Sequence, residues 1–421
     1  MMMEILPILD QLCKALVLLL SILYFYQIVY LILPMLRKKK KLPDQPLRRY
    51  AILIAARNEE CVLPYLLDSI RDQEYPSQLL TAYVIADNCT DRTAQVAAEH
   101  GAVVYERFDR TKVGKGYALE FLLSKIQKDA GWDAYDAFLI FDADNLLRPD
   151  YVMQINRVCG AGYEAFCGYR NTKNFGTNWL SAGYGVWYLH DSAHLNQARM
   201  MLGTSCAVSG TGFGFTRELL ERMGGWRFFT LTEDIEFDTW CVTHGVKIGY
   251  CHDAVTYDEQ PFDFGQSWRQ RTRWTQGSIQ IAAHYSGSML KGLFQGGWAS
   301  YATFETATLS MWGCGLSIVC GGLTLTLALL TGGVMGLFQS ICFGLLSGYG
   351  SAAVMGAWTV CSEWKRIEAP GWKKAASIFA FPLFLLTFVP IAASAIFRRF
   401  QWQPIRHTVA VSEKSFSKEL F

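Results

Sequence analysis

"YAILIAARNEE", residues 50–60, is an apolar, β-favouring run that stops at an arginine, an asparagine and two glutamates. A helical pattern follows at once in "VLPYLLDSIRDQ", and the same switch then recurs down the chain. "AYVIAD" runs into "NCTD" and a helical "DRTAQVAAEHG"; "AVVYER" follows, and "AFLIFDAD" begins at Ala137. Such alternation predicts parallel βαβ units with helices on both faces of the sheet, an α/β, Rossmann-like architecture in which ligands bind beyond the strand C-termini. Each polar cluster falls there: "ARNEE" after the first strand, "DNCTD" after the second, "DADN" after the strand from Ala137. No Gly-x-Gly-x-x-Gly follows the first strand, which argues against a dinucleotide cofactor of the usual kind.

On either side of this polar middle the composition changes. Charged residues make up 18% of the 421 and hydrophobic ones 51%, yet residues 13–36 and 300–397 are nearly uncharged. "CKALVLLLSILYFYQIVYLILPML", from Cys13, is long enough to cross a bilayer core of about 30 Å as a helix. It lacks a small-residue cleavage site and runs into "RKKKK", so it reads as an anchor, and the positive-inside rule makes the polar middle cytoplasmic. "ATLSMWGCGLSIVCGGLTLTLALL" and "VMGLFQSICFGLLSGYGSAAVMGAW" read as a transmembrane hairpin returning to the inside at "SEWKRIEAPGWKK". The last apolar segment carries Pro382 and Pro390, and a full crossing would leave "RRFQWQPIRH" outside. A broken, re-entrant segment is therefore favoured over a span. A formal charge of +2 gives no reason to expect a nucleic-acid partner. The twelve cysteines show neither a CxxC pair nor a Cys/His ladder, and His190 and His194, four apart, lack a recognisable third ligand, so no zinc site is expected.

In order, "AARNE", "VIADNCTDRT", "GKG", "FDADN", "LTEDIEF" and "QRTRW" resemble the membrane-embedded branch of glycosyltransferase family 2, which contains the cellulose, hyaluronan and poly-N-acetylglucosamine synthases. The resemblance covers roughly residues 50–285. It implies a GT-A fold, nucleotide-sugar donors, a divalent cation and inversion at the anomeric carbon. With it the chain divides into a tail (1–12), a transmembrane helix (13–36), a basic cytoplasmic linker (37–49), a cytoplasmic GT-A domain (50–263), interface helices carrying QxxRW (264–299), a transmembrane hairpin (300–361), a cytoplasmic loop (362–375), a transmembrane or re-entrant segment (376–397) and a second tail (398–421). That division implies a multi-pass protein of the cell membrane.

The resemblance also implies roles. A departing nucleotide diphosphate needs a cation, and Asp142 and Asp144 suit a Mg²⁺ or Mn²⁺ ion, Asp144 as its direct ligand. Ala55, Arg57, Glu59 and Asp87 would grip the base and ribose, with helix capping by Asp87 or Asn88 as the competing role. Lys115, between two glycines at a helix start, would approach the nucleotide, a surface lysine being the plainer reading. An acceptor hydroxyl must lose its proton on the face opposite the diphosphate, and Asp234, with Glu233 beside it, is implied as that base, against a plain N-terminal capping role. Arg273 would meet the diphosphate, Trp274 would stack an acceptor sugar, Gln270 would fix the loop, and Gly210, Thr211 and Gly212 would lie beneath the acceptor.

The function expected is transfer of a sugar, from a UDP-sugar in particular, to a growing polysaccharide. Single transfer to a polyprenyl phosphate or glycolipid is the alternative within the class, and a catalytically silent scaffold or transport subunit of a secretion complex is the rival outside it. Three or four apolar segments are few for a polymer channel, which interface helices, a second copy or an export partner would have to complete. "AARNE" also departs from the proline-bearing form of that motif common in the family, a change that leaves the chemistry alone.

Overall fold

The apolar runs join into one eight-stranded sheet in the computed structural model, which describes residues 2–36, 42–309 and 311–397. The strands are β1 (Tyr50–Ala56), β2 (Leu80–Asp87), β3 (Val103–Arg107), β4 (Ala137–Asp142), β5 (Leu146–Leu147), β6 (Ala165–Thr172), β7 (Phe213–Thr216) and β8 (Ile248–Asp258). Their spatial order is β3-β2-β1-β4-β7-β6-β8-β5. The first four are parallel, as the alternation predicts. Beyond β4 the sheet is mixed, because β7 lies antiparallel to both β4 and β6. The strand order reverses beside β1, between β2 and β4, and such a switch point leaves a crevice at the strand C-termini.

Both faces of this sheet are covered, which is why the central strands are apolar throughout instead of alternating. In β1, Tyr50, Ile52 and Ile54 pack into one core and Ala51 and Leu53 into the other. In β4, Phe138 and Ile140 take the second face while Ala137, Leu139 and Phe141 take the first. The covering helices are α2 (Leu63–Arg71), α3 (Thr93–Glu99), α4 (Lys115–Asp129), α5 (Tyr151–Gly160), α6 (Trp179–His190), α7 (Gln197–Leu202), α8 (Arg217–Met223) and α9 (Glu233–Thr243). Before them comes α1 (Met2–Leu36); after them come α10 (Phe264–Gly292), α11 (Gly297–Leu309), α12 (Met311–Ser362), α13 (Gly371–Leu386) and α14 (Phe388–Phe397).

Three helical stretches among the described residues are long and apolar enough to cross a membrane: Leu6–Leu36, Trp312–Ser362 and Gly371–Phe397. The first helix starts at Met2, so residues ahead of Cys13 continue it where a tail is expected from the sequence. α12 is two helices joined at Gly333, whose φ of 58° is left-handed. It folds back on itself. Trp358 donates to the Leu31 carbonyl, Tyr24 donates to the Thr308 carbonyl just ahead of α12, and Gly313 lies against the Tyr24 hydroxyl. A straight helix would hold residues 313 and 358 about 68 Å apart, whereas their contacts on α1 lie seven residues, about 10 Å, from each other.

The last apolar segment is interrupted at Thr387. Pro390 lacks the N–H that would bond the Leu386 carbonyl, and its ring crowds that carbonyl, so the break falls one turn before it. The basic run Arg37 to Lys41 and the second tail, residues 398–421, lie outside the described residues.

Candidate active site

The sheet register assembles the donor side. Ala55 is paired with Asp142 on one side and Ile85 on the other, and Asp87 is paired with Arg107. Asn58 and Asn88, just past β1 and β2, have φ of 59° and 55°, left-handed values that asparagine tolerates. Past the first turn, Glu59 donates its N–H to Thr93 Oγ1 at 2.8 Å and its carbonyl accepts the N–H groups of Val62 and Leu63, which starts α2. The Asp87 carboxylate is held by Arg107 Nη1 at 2.6 Å, with both side chains buried, and by Asn88 Nδ2 at 3.0 Å. That pairing fixes the carboxylate, and among the described residues it caps no helix.

Lys115 opens α4 and points inward. Its Nζ donates to Asp142 Oδ1 at 2.5 Å and to the Gly210 carbonyl at 2.9 Å, and stands 3.9 Å from Glu233 Oε1. Burial pulls the Lys115 ammonium down, but Asp142 and Glu233 more than offset it and hold it above the ordinary lysine value. The lysine therefore joins two acidic clusters about ninety residues apart in the chain. Gly210 has φ of 84°, a left-handed turn in "SGTGF" that sends its carbonyl to the lysine. Thr211 Oγ1 accepts the Asp142 N–H at 3.0 Å, tying this loop to the end of β4.

Across the cleft, α9 begins at Glu233 with Thr232 before it. Thr232 makes no capping bond with its side chain. Its position is fixed from outside: a Cβ on Gly277 of α10 would come within 2.2 Å of Thr232 Oγ1, so only glycine lets α10 lie this close. Glu236 Oε2 accepts the N–H groups of Phe229 and Thr230 at 2.9 and 2.8 Å, and Gln280 Oε1 accepts that of Leu231 at 3.0 Å. These bonds hold the turn that presents Glu233 and Asp234. Burial pushes the Glu233 carboxyl up to about 7, with Lys115 opposing and Asp234 adding to the shift. Arg273 donates to the Leu231 carbonyl at 3.0 Å, and Trp274 meets Tyr184 edge to face, ring centroids 5.9 Å apart.

Lys115, Asp142, Gly210, Glu233, Asp234, Gln270, Arg273 and Trp274 line one cleft of about 270 Å³. Gln270 Oε1 is buried there with no hydrogen-bond partner among the described residues. Ala55, Arg57, Glu59, Asp87, Asp144, Thr211 and Gly212 do not line this cleft; Ala55 and Asp87 are at the ends of β1 and β2, Arg57, Glu59 and Asp144 on the loops after β1 and β4, and Thr211 and Gly212 just ahead of β7. Sequence reasoning missed Arg170, which lines the cleft, bonds the Ser209 carbonyl, pairs with Asp258 and lies 3.6 Å from the centre of the Tyr188 ring. Burial pushes the Asp258 carboxyl up to about 6 against the pull of Arg170. Arg107, Glu236 and Gln280 were missed too, and only Glu236, the third acid of "LTEDIEF", left a trace in a motif.

α10 also fastens the cleft to the apolar helices. Arg271, fully buried, donates to Thr387 Oγ1 at 2.7 Å and to the Phe384 carbonyl at 3.2 Å. A cation there satisfies a carbonyl left open where α13 ends. It sits between Gln270 and Arg273 in the chain, so the break in the last apolar segment is pinned to the cleft wall.

Asp142 and Asp144 supply the hard oxygen donors a Mg²⁺ or Mn²⁺ ion takes. Asp144 Oδ2 also accepts the Glu259 N–H at 2.7 Å, and no group of three or more acidic, His or Cys side chains suited to a metal occurs among the described residues. Two carboxylates fit an ion that draws its remaining ligands from a diphosphate and water, as Mg²⁺ does. His190 and His194 bond Thr359 Oγ1 and Ser362 Oγ at the end of α12.

Residues 46–277, more than half of the chain, match the family model described as glycosyltransferase like family 2. The chain belongs to that family. A probable glycosyltransferase of Bacillus subtilis, YdaM, is 26% identical over 269 residues, which cover 58% of this chain and 59% of that protein. A β-monoglucosyldiacylglycerol synthase of Synechocystis is 24% identical over 250 residues, 57% of this chain and 50% of its own. A poly-β-1,6-N-acetyl-D-glucosamine synthase of Staphylococcus epidermidis is 23% identical over 243 residues, 57% of each chain. This glycosyltransferase thus matches half to three fifths of the length of these curated relatives. Among solved structures, the mannosyltransferase PcManGT of Pyrobaculum calidifontis, in complex with GDP-Man and Mn²⁺, matches with a TM-score of 0.51 at 16% identity, over 92% of this chain and 98% of that one. The glycosyltransferase has the GT-A fold, with helices long and apolar enough to span a membrane beside it.

Proposed function

We propose that this glycosyltransferase is bound in the membrane with its GT-A domain on the cytoplasmic side, and moves a sugar from a nucleotide-sugar, a UDP-sugar in particular, with inversion. The observation that carries the reading is the convergence of Asp142, Glu233, Asp234, Arg273 and Trp274, drawn from three distant motifs, on one cleft spanned by Lys115. Asp142 and Asp144 would hold a divalent ion, which supplies positive charge to the departing diphosphate. Lys115 and Arg273 add cationic groups on that side. An acceptor oxygen bonds to the anomeric carbon as the bond to the diphosphate oxygen breaks; its proton passes to Asp234, and the bonding pair leaves with the nucleotide. Asp87 and the loops after β1 and β2 take the base and ribose. A silent scaffold has no use for this set of groups.

Release of UDP from a panel of UDP-sugars by detergent-solubilised enzyme tests the reading, and absence of release with every donor and acceptor would refute it. An impermeant thiol reagent should fail to label a cysteine placed at Lys365 in intact cells, and labelling would reverse the orientation. Repeated addition to a polysaccharide draws support from Trp274, which lines the cleft. The thin set of candidate spans favours single transfer to a lipid-borne acceptor. Products sized by mass spectrometry at large acceptor excess separate the two: long chains beside untouched acceptor mean the former.

A further inference from the structure

A second cavity, of about 210 Å³, lies behind α9 between α10, α11 and the segment 205–208. Val208 and Ile235 line both this cavity and the catalytic cleft, so the two spaces share those side chains as a wall. Leu309, three residues before the candidate span Trp312–Ser362, also lines it and is half exposed. The cavity therefore reaches from the start of an apolar helix to the flank of Asp234.

Most of its wall is apolar, but three buried polar side chains in it each carry an oxygen without a partner among the described residues. Asp238 is 8% exposed, Thr239 fully buried and Glu305 3% exposed. Asp238 Oδ1, Thr239 Oγ1 and Glu305 Oε2 each have no hydrogen-bond partner among the described residues. Asp238 lies one helical turn after Asp234. Leaving such oxygens buried and unbonded is unfavourable, and a ligand that donates hydrogen bonds would recover that cost. The neighbouring cation, Arg199, is already taken: its Nε meets Glu305 Oε1 at 3.4 Å and its Nη1 bonds Asn196. Burial also pushes the Asp238 carboxyl up to about 7, so near neutrality it carries charge only part of the time.

We propose that this cavity is the entry site for the acceptor and that it takes a lipid with a neutral, hydroxyl-bearing head, the hydroxyls bonding Asp238, Thr239 and Glu305 while the apolar part faces Ile281, Met289 and Leu309. This rests on the sugar-transfer reading above and narrows its acceptor. Two acidic side chains beside an occupied arginine disfavour a phosphate head, which sets polyprenyl phosphates aside. A free sugar would satisfy the oxygens but leave the apolar wall uncovered.

Photolabelling tests this on the full-length protein in nanodiscs, with a diazirine-bearing dioctanoylglycerol as probe and peptides mapped by mass spectrometry. Label should fall on residues 278–289 and 302–309, and unlabelled dioctanoylglycerol or octyl glucoside should compete. Glucose and farnesyl phosphate should not compete at equal concentration. Thr306→Phe, which fills the cavity, should lower labelling by about tenfold or more, a loss of about 1.4 kcal/mol in affinity. Asp238→Leu provides a second variant, with UDP binding by calorimetry on the same preparations showing that each is folded. Label outside those peptides, label undiminished in both folded variants, or equal competition by farnesyl phosphate or glucose would overturn the proposal. UDP release with any acceptor would still uphold the transferase reading, so the two fail separately.

Discussion

The proposed donor and acceptor sides of the crevice differ in how their carboxylates are paired with cations. On the proposed donor side Asp142, which lines the cleft, pairs with Lys115; behind it Asp87 pairs with Arg107, and Asp258 pairs with Arg170 through one oxygen while its other oxygen has no hydrogen-bond partner among the described residues. On the proposed acceptor side Glu233 is 3.9 Å from Lys115, and Asp238, which lines the cavity behind, has a buried oxygen with no partner among the described residues. Paired acids next to lysine and arginine suit a site that receives a charged diphosphate and its cation. Buried acids short of partners suit one that accepts protons and hydroxyl hydrogens.

The largest effect expected is on the donor side. Asp142→Asn and Asp144→Asn should each lower transfer on the order of 10²-fold or more, because an amide is a poor ligand for a hard ion and the departing charge loses its support. Excess chelator should do the same to the wild type, and full turnover in chelator would remove the cation from the donor side. Next comes the Asp87 pair. Arg107→Leu leaves the buried Asp87 carboxylate without its cation and should cost about 3–5 kcal/mol, read from urea denaturation. A cost below about 1 kcal/mol would show that the donor side is no more tightly paired than the acceptor side. On the acceptor side, Gly277→Ala drives a methyl into Thr232 and displaces the turn before Asp234; transfer should fall about 10- to 100-fold with UDP binding retained.

The smallest effect is one of pH. Glu233, Asp238 and Asp258 have folded-state values raised by burial to about 7, 7 and 6 from ordinary values of 4.5, 3.8 and 3.8. The folded protein thus binds more protons than the unfolded chain in that interval. Their contribution to stability is complete below pH ~4 and is lost as pH rises through 6–7. The Tm of the ligand-free protein should fall between pH 5 and 8, and Asp238→Asn should flatten part of that slope. An unchanged slope in this variant would mean that Asp238 already ionises at low pH in the fold.

Much of this was legible in the sequence where the signal is local. "YAILIAA" and "AFLIFD" announce buried parallel strands by their unbroken apolar character, and "DADN" and "LTED" fall where such strands and the following turns place them. What stayed hidden depends on partners far along the chain. Arg170 and Asp258 are 88 residues apart and meet because β6 and β8 run side by side. β7, four residues long, has too little pattern to declare its antiparallel direction. Gly277 reads as an ordinary helix glycine until Thr232 is seen against it. The start of the first helix at Met2 was missed because hydropathy marks where a span is apolar, not where a helix begins.

The division between the two sides is tested most directly at Asp234, by measuring UDP affinity calorimetrically and sugar transfer on the same Asp234→Asn preparation. Transfer should drop by about 10²- to 10⁴-fold while UDP affinity stays within about threefold of wild type, since a base acts on the acceptor and not on the nucleotide. A collapse of UDP affinity in that variant would place Asp234 with the donor and contradict the division.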